Sequence, residues 1–261
     1  MATPVLLSWS GGKDAAWALH ALRQRQDVEV VALLSTLTEG YERASMQGVR
    51  EEVLRLQAHA AGLPLLRAWI PQDCDNAGYL QRMGQALEAA RLRWPALRTL
   101  AFGDLLLEDI RHWRQQQYAA LDWDCLFPLF RRDTATLARQ MIDGGLRARL
   151  CCVDTRVLDA AFAGRAFDHA LLDALPAGID ACGENGEFHT CVSAGPLFGA
   201  LTFGILITIA MAFSQPGLGL TMLYASILFF PIAYLVGGIQ AAAVGAAAAL
   251  ATWRRGAGAL W

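Results

Sequence analysis

The stretch Val5-Leu6-Leu7-Ser8-Trp9-Ser10-Gly11-Gly12-Lys13-Asp14 decides how the rest of the chain is read. It opens as a short apolar run of β-prone residues and breaks at two consecutive glycines. It then passes into Asp14 to Arg23, where Trp17, Leu19, Ala21 and Leu22 recur among polar residues in a helical pattern. A strand that turns through Gly-Gly into a helix presents backbone N–H groups, and the positive end of the helix dipole, to one point in space. That is a cradle for an anion, and Ser10 and Lys13 extend it with a hydroxyl and an ammonium. A Walker A loop is excluded, because it requires Gly at position 7 and Ser or Thr at position 14, where the chain has Leu7 and Asp14. Asp14 would repel a phosphate directly and is therefore assigned to Mg2+, or to a water that the metal holds. Lys13 is the only lysine in the chain, against 21 arginines. A compact point charge has been kept where phosphates are expected.

Outward from this loop, strands are predicted over Val28 to Leu34, Leu65 to Ile70, Thr99 to Phe102 and Ala148 to Val153. Helices are predicted over Glu51 to Ala61, Tyr79 to Arg93 and Asp133 to Gly144. Alternation of this kind predicts an α/β fold, a parallel sheet with helices on both faces. Right-handed crossovers then gather the loops that follow the strands along one edge. Gly103-Asp104 lies in such a loop.

Charge is distributed unevenly along the 261 residues, of which 55% are hydrophobic. The first 187 carry 20 basic and 24 acidic residues, a net charge of −4 without a basic stripe, which argues against a nucleic-acid partner. Phe188 to Trp253 is a run of 66 residues without Asp, Glu, Lys or Arg. Spanning a bilayer takes about 20 apolar residues. Two α-helical transmembrane segments are therefore expected, over about 198–213 and 218–236, with Ser214-Gln215-Pro216-Gly217 as the turn between them. Such a hairpin returns Arg254 and Arg255 to the side of the soluble domain, as the positive-inside tendency favours. The six cysteines form no C-x-x-C pair, the histidines near them lack zinc-site spacing, and no secretory signal is legible. A reduced cytoplasmic domain, anchored to membrane lipid by the tail, is the expected arrangement.

Ser10-Gly11-Gly12-Lys13-Asp14 after a first strand resembles the PP-loop of the ATP pyrophosphatases, and Cys182-Gly183-Glu184-Asn185-Gly186-Glu187-Phe188-His189-Thr190 resembles the signature of the diphthine–ammonia ligase family. Tyr41 to Arg50, Phe102-Gly103-Asp104 and Asp159 to Phe167 fit the same branch, so the resemblance covers about residues 3 to 198. It implies a Rossmann-like PP-loop domain over 1–197, followed by the hydrophobic tail over 198–261. It also implies a ligase that cleaves ATP to AMP and pyrophosphate, with a substrate carboxylate attacking the α-phosphate and ammonia converting the acyl-adenylate to an amide. Carried over by position, Ser10, Gly11, Gly12, Lys13 and Asp14 hold ATP and its Mg2+, and Asp104 sits over the nucleotide or the metal. Lys13, Glu184, Glu187 and His189 are the catalytic candidates. The last three line the acceptor side, where carboxylates bind ammonium and take its proton and a neutral-pH base has a use.

Three departures stand out: Ala15 follows Asp14 where PP-loops usually carry Ser or Thr, Gln47 replaces an expected His, and the tail replaces a short soluble ending. The tail reads either as a membrane hairpin fused to the enzyme or as a frame shift into unrelated sequence. The identity of the carboxylate acceptor, protein side chain or small molecule, stays open. So do two rival functions: a membrane-tethered ATP-binding sensor without turnover, and an adenylating enzyme whose acceptor is sulfur or an amine.

Overall fold

The computed structural model describes residues 2–45 and 48–198. Gln47 and all but the first residue of the expected membrane hairpin lie outside them. Among the described residues no helix is long and apolar enough to cross a membrane.

The first strand, β1 (Thr3–Ser8), runs into helix α1 (Lys13–Arg23) as the opening stretch predicts. Then follow β2 (Val28–Thr38), a two-residue β3 (Arg43–Ala44), α2 (Glu51–Ala60), β4 (Leu65–Ile70) and α3 (Asn76–Arg93). The order continues with β5 (Thr99–Ala101), α4 (Glu108–Ala119), β6 (Asp124–Leu126) and α5 (Thr134–Asp143). Beyond these lie β7 (Arg147–Val153), the short α6 (His169–Ala174) and β8 (Phe188–Ala194).

Strands β4, β2, β1, β5 and β6 lie side by side in that order, all parallel. Strand order reverses between β1 and β5, and in open α/β sheets ligands bind beyond the carboxyl ends of the strands at such a switch point. Consecutive Val5, Leu6 and Leu7 are all fully buried. Since successive side chains of a strand face opposite ways, burial of all three requires cover on both faces of the sheet. On one face Leu6, Ala32, Leu34, Ala68 and Leu100 pack with Met83 and Leu87 of α3 and Tyr118 of α4. Leu37 pairs with Trp69 of β4 and with Ala44 of β3, which must lie on opposite edges. Strand β3 therefore shares with β1 the other edge of β2 and lies beyond the end of β1.

One expectation is corrected. The strand predicted at Ala148 to Val153 does not join the parallel sheet. As β7 it pairs antiparallel with β8 in a separate two-stranded sheet. The reason is connectivity: β8, hidden in the sequence behind the glycines of 183 and 186, offers β7 a partner that returns in the opposite direction. That return lays β8 against the start of α1.

Candidate active site

Residues 9–12 leave β1 and are gripped from three sides. From β2, the Ser35 hydroxyl donates to the Trp9 carbonyl at 2.5 Å. From α2, the Gln57 amide donates to the Gly11 carbonyl at 3.0 Å. From β8, the Val192 N–H donates to that same carbonyl, also at 3.0 Å. Gly12 caps α1 without a side-chain hydrogen bond of its own, and the Thr190 hydroxyl accepts from the Lys13 N–H at 3.1 Å. The Ser10 hydroxyl accepts from the Gly12 N–H at a long 3.3 Å. Loop and helix start thus have the form expected for an anion cradle.

Lys13 is 2% exposed. Its ammonium donates to Asp14 at 2.8 Å and to the Cys182 carbonyl, and it lies 5.7 Å from the ring centre of Phe167 and 5.6 Å from that of Phe188. Burial works against its charge, but Asp14 and Glu184 outweigh burial and hold the Lys13 pKa above the ordinary value. Lys13 is therefore a cation throughout the physiological range. The second oxygen of Asp14, Oδ1, is buried without a hydrogen-bond partner. Such an orphaned carboxylate oxygen is unfavourable unless something positive meets it.

The β5–α4 connection approaches from the other side of the switch point. A Cβ at Gly103 would fall 2.9 Å from the Ala15 nitrogen, so only glycine lets this loop lie against the first turn of α1. Asp104 faces Arg114 of α4, whose Nε lies 2.8 Å from its carboxylate and whose guanidinium stacks 4.2 Å over Phe102. That close ion pair is not aligned as a hydrogen bond; the aligned contact is a longer one, Nη2 to Oδ1 at 3.4 Å. Burial raises the Asp104 pKa, with Asp14 adding to the effect and Arg114 opposing it. Asp104 thus meets Arg114 first.

The 180–187 loop closes the third side. Asp180 accepts from the Thr134 hydroxyl at 2.5 Å and from the backbone of Cys182 and Glu184. Glu187 is buried and accepts from the backbone of Asp180 and Asn185 and from the Asn185 amide. Burial alone would raise its pKa, but these hydrogen bonds win and hold it below the ordinary value. Glu187 is thereby committed to shaping the loop. Glu184 instead reaches across to accept from the Leu106 N–H at 3.2 Å. Burial and the neighbouring charge of Asp14 push its pKa up to about 7. His189 is half-buried in β8 beside Thr190, and burial with the charge of Lys13 lowers its pKa, so its imidazole is neutral at pH 7.

The structure therefore gathers Ser10, Gly11, Gly12, Lys13, Asp14, Asp104 and Glu184 at the carboxyl edge of the sheet. Glu187 stands behind them as a brace and His189 at their margin. Among the described residues no three of His, Cys, Asp and Glu converge as a metal cage. Mg2+ commonly takes one or two carboxylates and completes its shell with phosphate oxygens and water, and Asp14 with its free Oδ1 fits that role. Sequence reasoning missed Gln57, Arg114 and the aromatic pair around Lys13. Only Gln57 left a signal: a polar residue on the stripe that Val53, Leu54 and Ala58 bury. A cavity of about 480 Å3 beside α2 and β4, lined by Glu52, Arg55, His59 and Arg67 among others, shares no residue with this site.

Both halves of the site have counterparts in known protein families. Residues 2–116 match the diphthamide synthase N-terminal domain and residues 133–202 match the diphthamide synthase C-terminal domain. The chain belongs to the diphthamide synthase family. The two domains imply ATP-dependent amidation of diphthine by ammonia, the chemistry of an amide-forming ligase. The PP-loop lies in the first domain, and Thr190, Cys182 and Glu184 come from the second. No curated protein matches the chain. Among solved structures, the FMN adenylyltransferase of Candida glabrata in complex with FMN and the ATP analog AMPCPP is similar at 13% identity and a TM-score of 0.34. The match covers 54% of this chain and 48% of that one, so the chain spans about half the length of the solved structure it matches.

Proposed function

We propose that this chain adenylates the carboxylate of diphthine, or of a closely similar acceptor, and passes the acyl group to ammonia at the seam between its two domains. The observation that carries this reading is that the groups for two half-reactions, carried on separate loops, meet at one place. The anion cradle and Lys13 come from the N-terminal domain, and Glu184 comes from the C-terminal domain. In the first half-reaction a carboxylate oxygen attacks the α-phosphorus of ATP and pyrophosphate leaves with the bridging oxygen. Both partners are anions, so the step requires positive groups held in place beforehand, and Lys13 with the N–H groups at the start of α1 supplies them. Mg2+ bound by Asp14 would neutralise phosphate charge. In the second half-reaction ammonia attacks the acyl carbon, AMP leaves with the mixed-anhydride oxygen, and a proton must leave nitrogen. Glu184, with its pKa near neutrality, is matched to receiving that proton. His189, neutral at pH 7, stands as a second base on the acceptor side.

The assay is ATP cleavage by the full chain with Mg2+, ammonium and a diphthine-bearing acceptor, wild type beside Lys13→Ala. AMP and pyrophosphate should form, with a loss on the order of 10²–10³-fold in the variant, which lacks a buried charge on the phosphates. ADP and phosphate as products would sink the adenylation reading. ATP binding without turnover in the presence of acceptor would favour the sensor. Tethering of the domain to a membrane by the residues beyond 198 is a further part of the proposal, supported by their lack of charge up to Arg254.

A further inference from the structure

We infer that Gln57 is a positioning residue for the nucleotide loop: its carboxamide fixes the sense of the Gly11–Gly12 peptide, so that the Gly12 N–H is presented to the phosphates. The inference rests on the reading of residues 10–13 as the ATP cradle. Gln57 is fully buried. Its amide nitrogen donates to the Gly11 carbonyl at 3.0 Å and to the Val192 carbonyl at 2.9 Å, and its oxygen accepts from the Trp9 indole N–H at 2.9 Å. Both N–H bonds are used, and the oxygen is turned to the one neighbour that donates. The amide therefore cannot flip without setting its oxygen against two carbonyls and its nitrogen against an N–H.

The consequence lies one bond away. A trans peptide is planar, with its C=O and N–H pointing in opposite directions. The Gly11 carbonyl is held inward by Gln57 and by the Val192 N–H, which turns the Gly12 N–H outward. That N–H has only the long 3.3 Å contact to Ser10, which a phosphate oxygen can replace with a shorter, charge-assisted bond. Gly11 adopts a φ of +79°, and a Cβ there would sit 2.8 Å from the Gln57 oxygen. The unusual backbone and the close approach of the amide are thus one feature. Trp9 adds to the direction: its indole N–H holds the oxygen end, while the Gly11 and Val192 carbonyls hold the nitrogen end.

Three variants of the full chain separate positioning from mere support. Gln57→Met keeps the volume and removes the amide; the KM for ATP is expected to rise about tenfold or more while the KM for ammonia stays within about twofold. Gln57→Glu sets a carboxylate against two carbonyls, so ATP affinity should be equally poor at about pH 8. It should recover several-fold towards about pH 6, where a protonated carboxyl again offers one donor and one acceptor. Trp9→Phe removes the hydrogen-bond donor to the carboxamide oxygen and should raise the ATP KM by about threefold to tenfold. It also keeps the question answerable if either Gln57 variant fails to fold. Titration with ATP and Mg2+, corrected for the wild type's own pH profile, reads all three. ATP affinity within about twofold of wild type in the folded variants overturns the role of Gln57. So does a parallel loss of both KM values and kcat without recovery at low pH. If the wild type itself binds no ATP, the cradle reading fails first, and that result is separate from the other two.

Discussion

Glu184 offers the sharpest test of the site, because its environment makes opposite demands on stability and on activity. Burial and Asp14 displace its pKa from 4.5 to about 7, against the opposing Leu106 N–H and Lys13. Its ionised form is therefore unfavourable in the folded chain. Glu184→Gln keeps an oxygen to accept from Leu106 and removes the charge. Displacement from 4.5 to about 7 corresponds to at most about 3 kcal/mol, and the carboxylate's remaining contact with water brings the expected stabilisation to about 1–2 kcal/mol. The sign follows from proton uptake. Above pH 7 the group is ionised in both folded and unfolded chains, and the variant has its full advantage. Between about 7 and 4.5 only the folded wild type holds the proton, so the wild type gains stability as pH falls and the gap closes. Urea unfolding followed by the fluorescence of buried Trp9, Trp17 and Trp123, at about pH 8.5 and about pH 5, measures it. Nucleotide and divalent cations are left out, because a cation on Asp14 would offset the charge that raises Glu184. The same variant should lose amide formation on the order of 10²-fold, since the proton acceptor is gone. A gap of equal size at both pH values, or a variant less stable than wild type at the higher one, would refute the assignment of a strained carboxylate.

Two further outcomes are expected. Gly183 holds a φ of +71°, and a Cβ added there would sit 2.7 Å from the Phe188 carbonyl oxygen, so Gly183→Ala should cost about 1–3 kcal/mol. Because Phe188 lies beside the Lys13 ammonium, ATP affinity should fall with it; unchanged melting and unchanged binding together would show that the turn tolerates a side chain. For the tail, fractionation of cells making the full chain should leave it with membranes after alkaline carbonate and release it with detergent. Release by carbonate alone would remove the membrane anchor from the reading.

Much of the sheet was legible because its strands read as apolar runs: Val5–Leu7 is buried on both faces, and Leu65–Ile70 is apolar but for the exposed Arg67. Helix α4 was not, because Glu108 to Ala119 buries only Tyr118 and so has no apolar stripe to betray its period. Strand β6, three residues long, is too short to carry a pattern, and β8 is disguised by the Gly-rich loop before it. The site divides in the same way. The cradle is local in sequence, so Ser10 to Asp14 could be read directly. Roles that depend on partners brought in by the fold could not: Thr190 meets Lys13 across 177 positions, and Asp104 meets Arg114 ten positions on, through α4. Glu187 shows the limit most clearly, since a carboxylate that braces its own loop and one that faces a substrate look alike in sequence. Only the three donors around it distinguish them.

The balance of charge at the seam explains why these residue types stand where they do. Lys13 and Arg114 are positive, Asp14 and Asp104 are acidic, and Glu184 is poised between its two forms. Taken together the groups are close to neutral, although the reaction brings ATP against a second anion. A site with a large positive excess would hold ATP and carboxylate firmly but would also hold AMP and pyrophosphate, and tight ground-state binding gives no acceleration. A near-neutral site would instead leave phosphate charge to be offset by a metal that arrives with the nucleotide, and Asp14 Oδ1, buried with neither a hydrogen bond nor an ion pair, is where such a metal would be held. A metal held at Asp14 would relieve the repulsion from that carboxylate that raises Glu184, and so would favour the ionised, proton-accepting form of the base. A metal that arrives for the first step would thereby prepare the group that the second step needs.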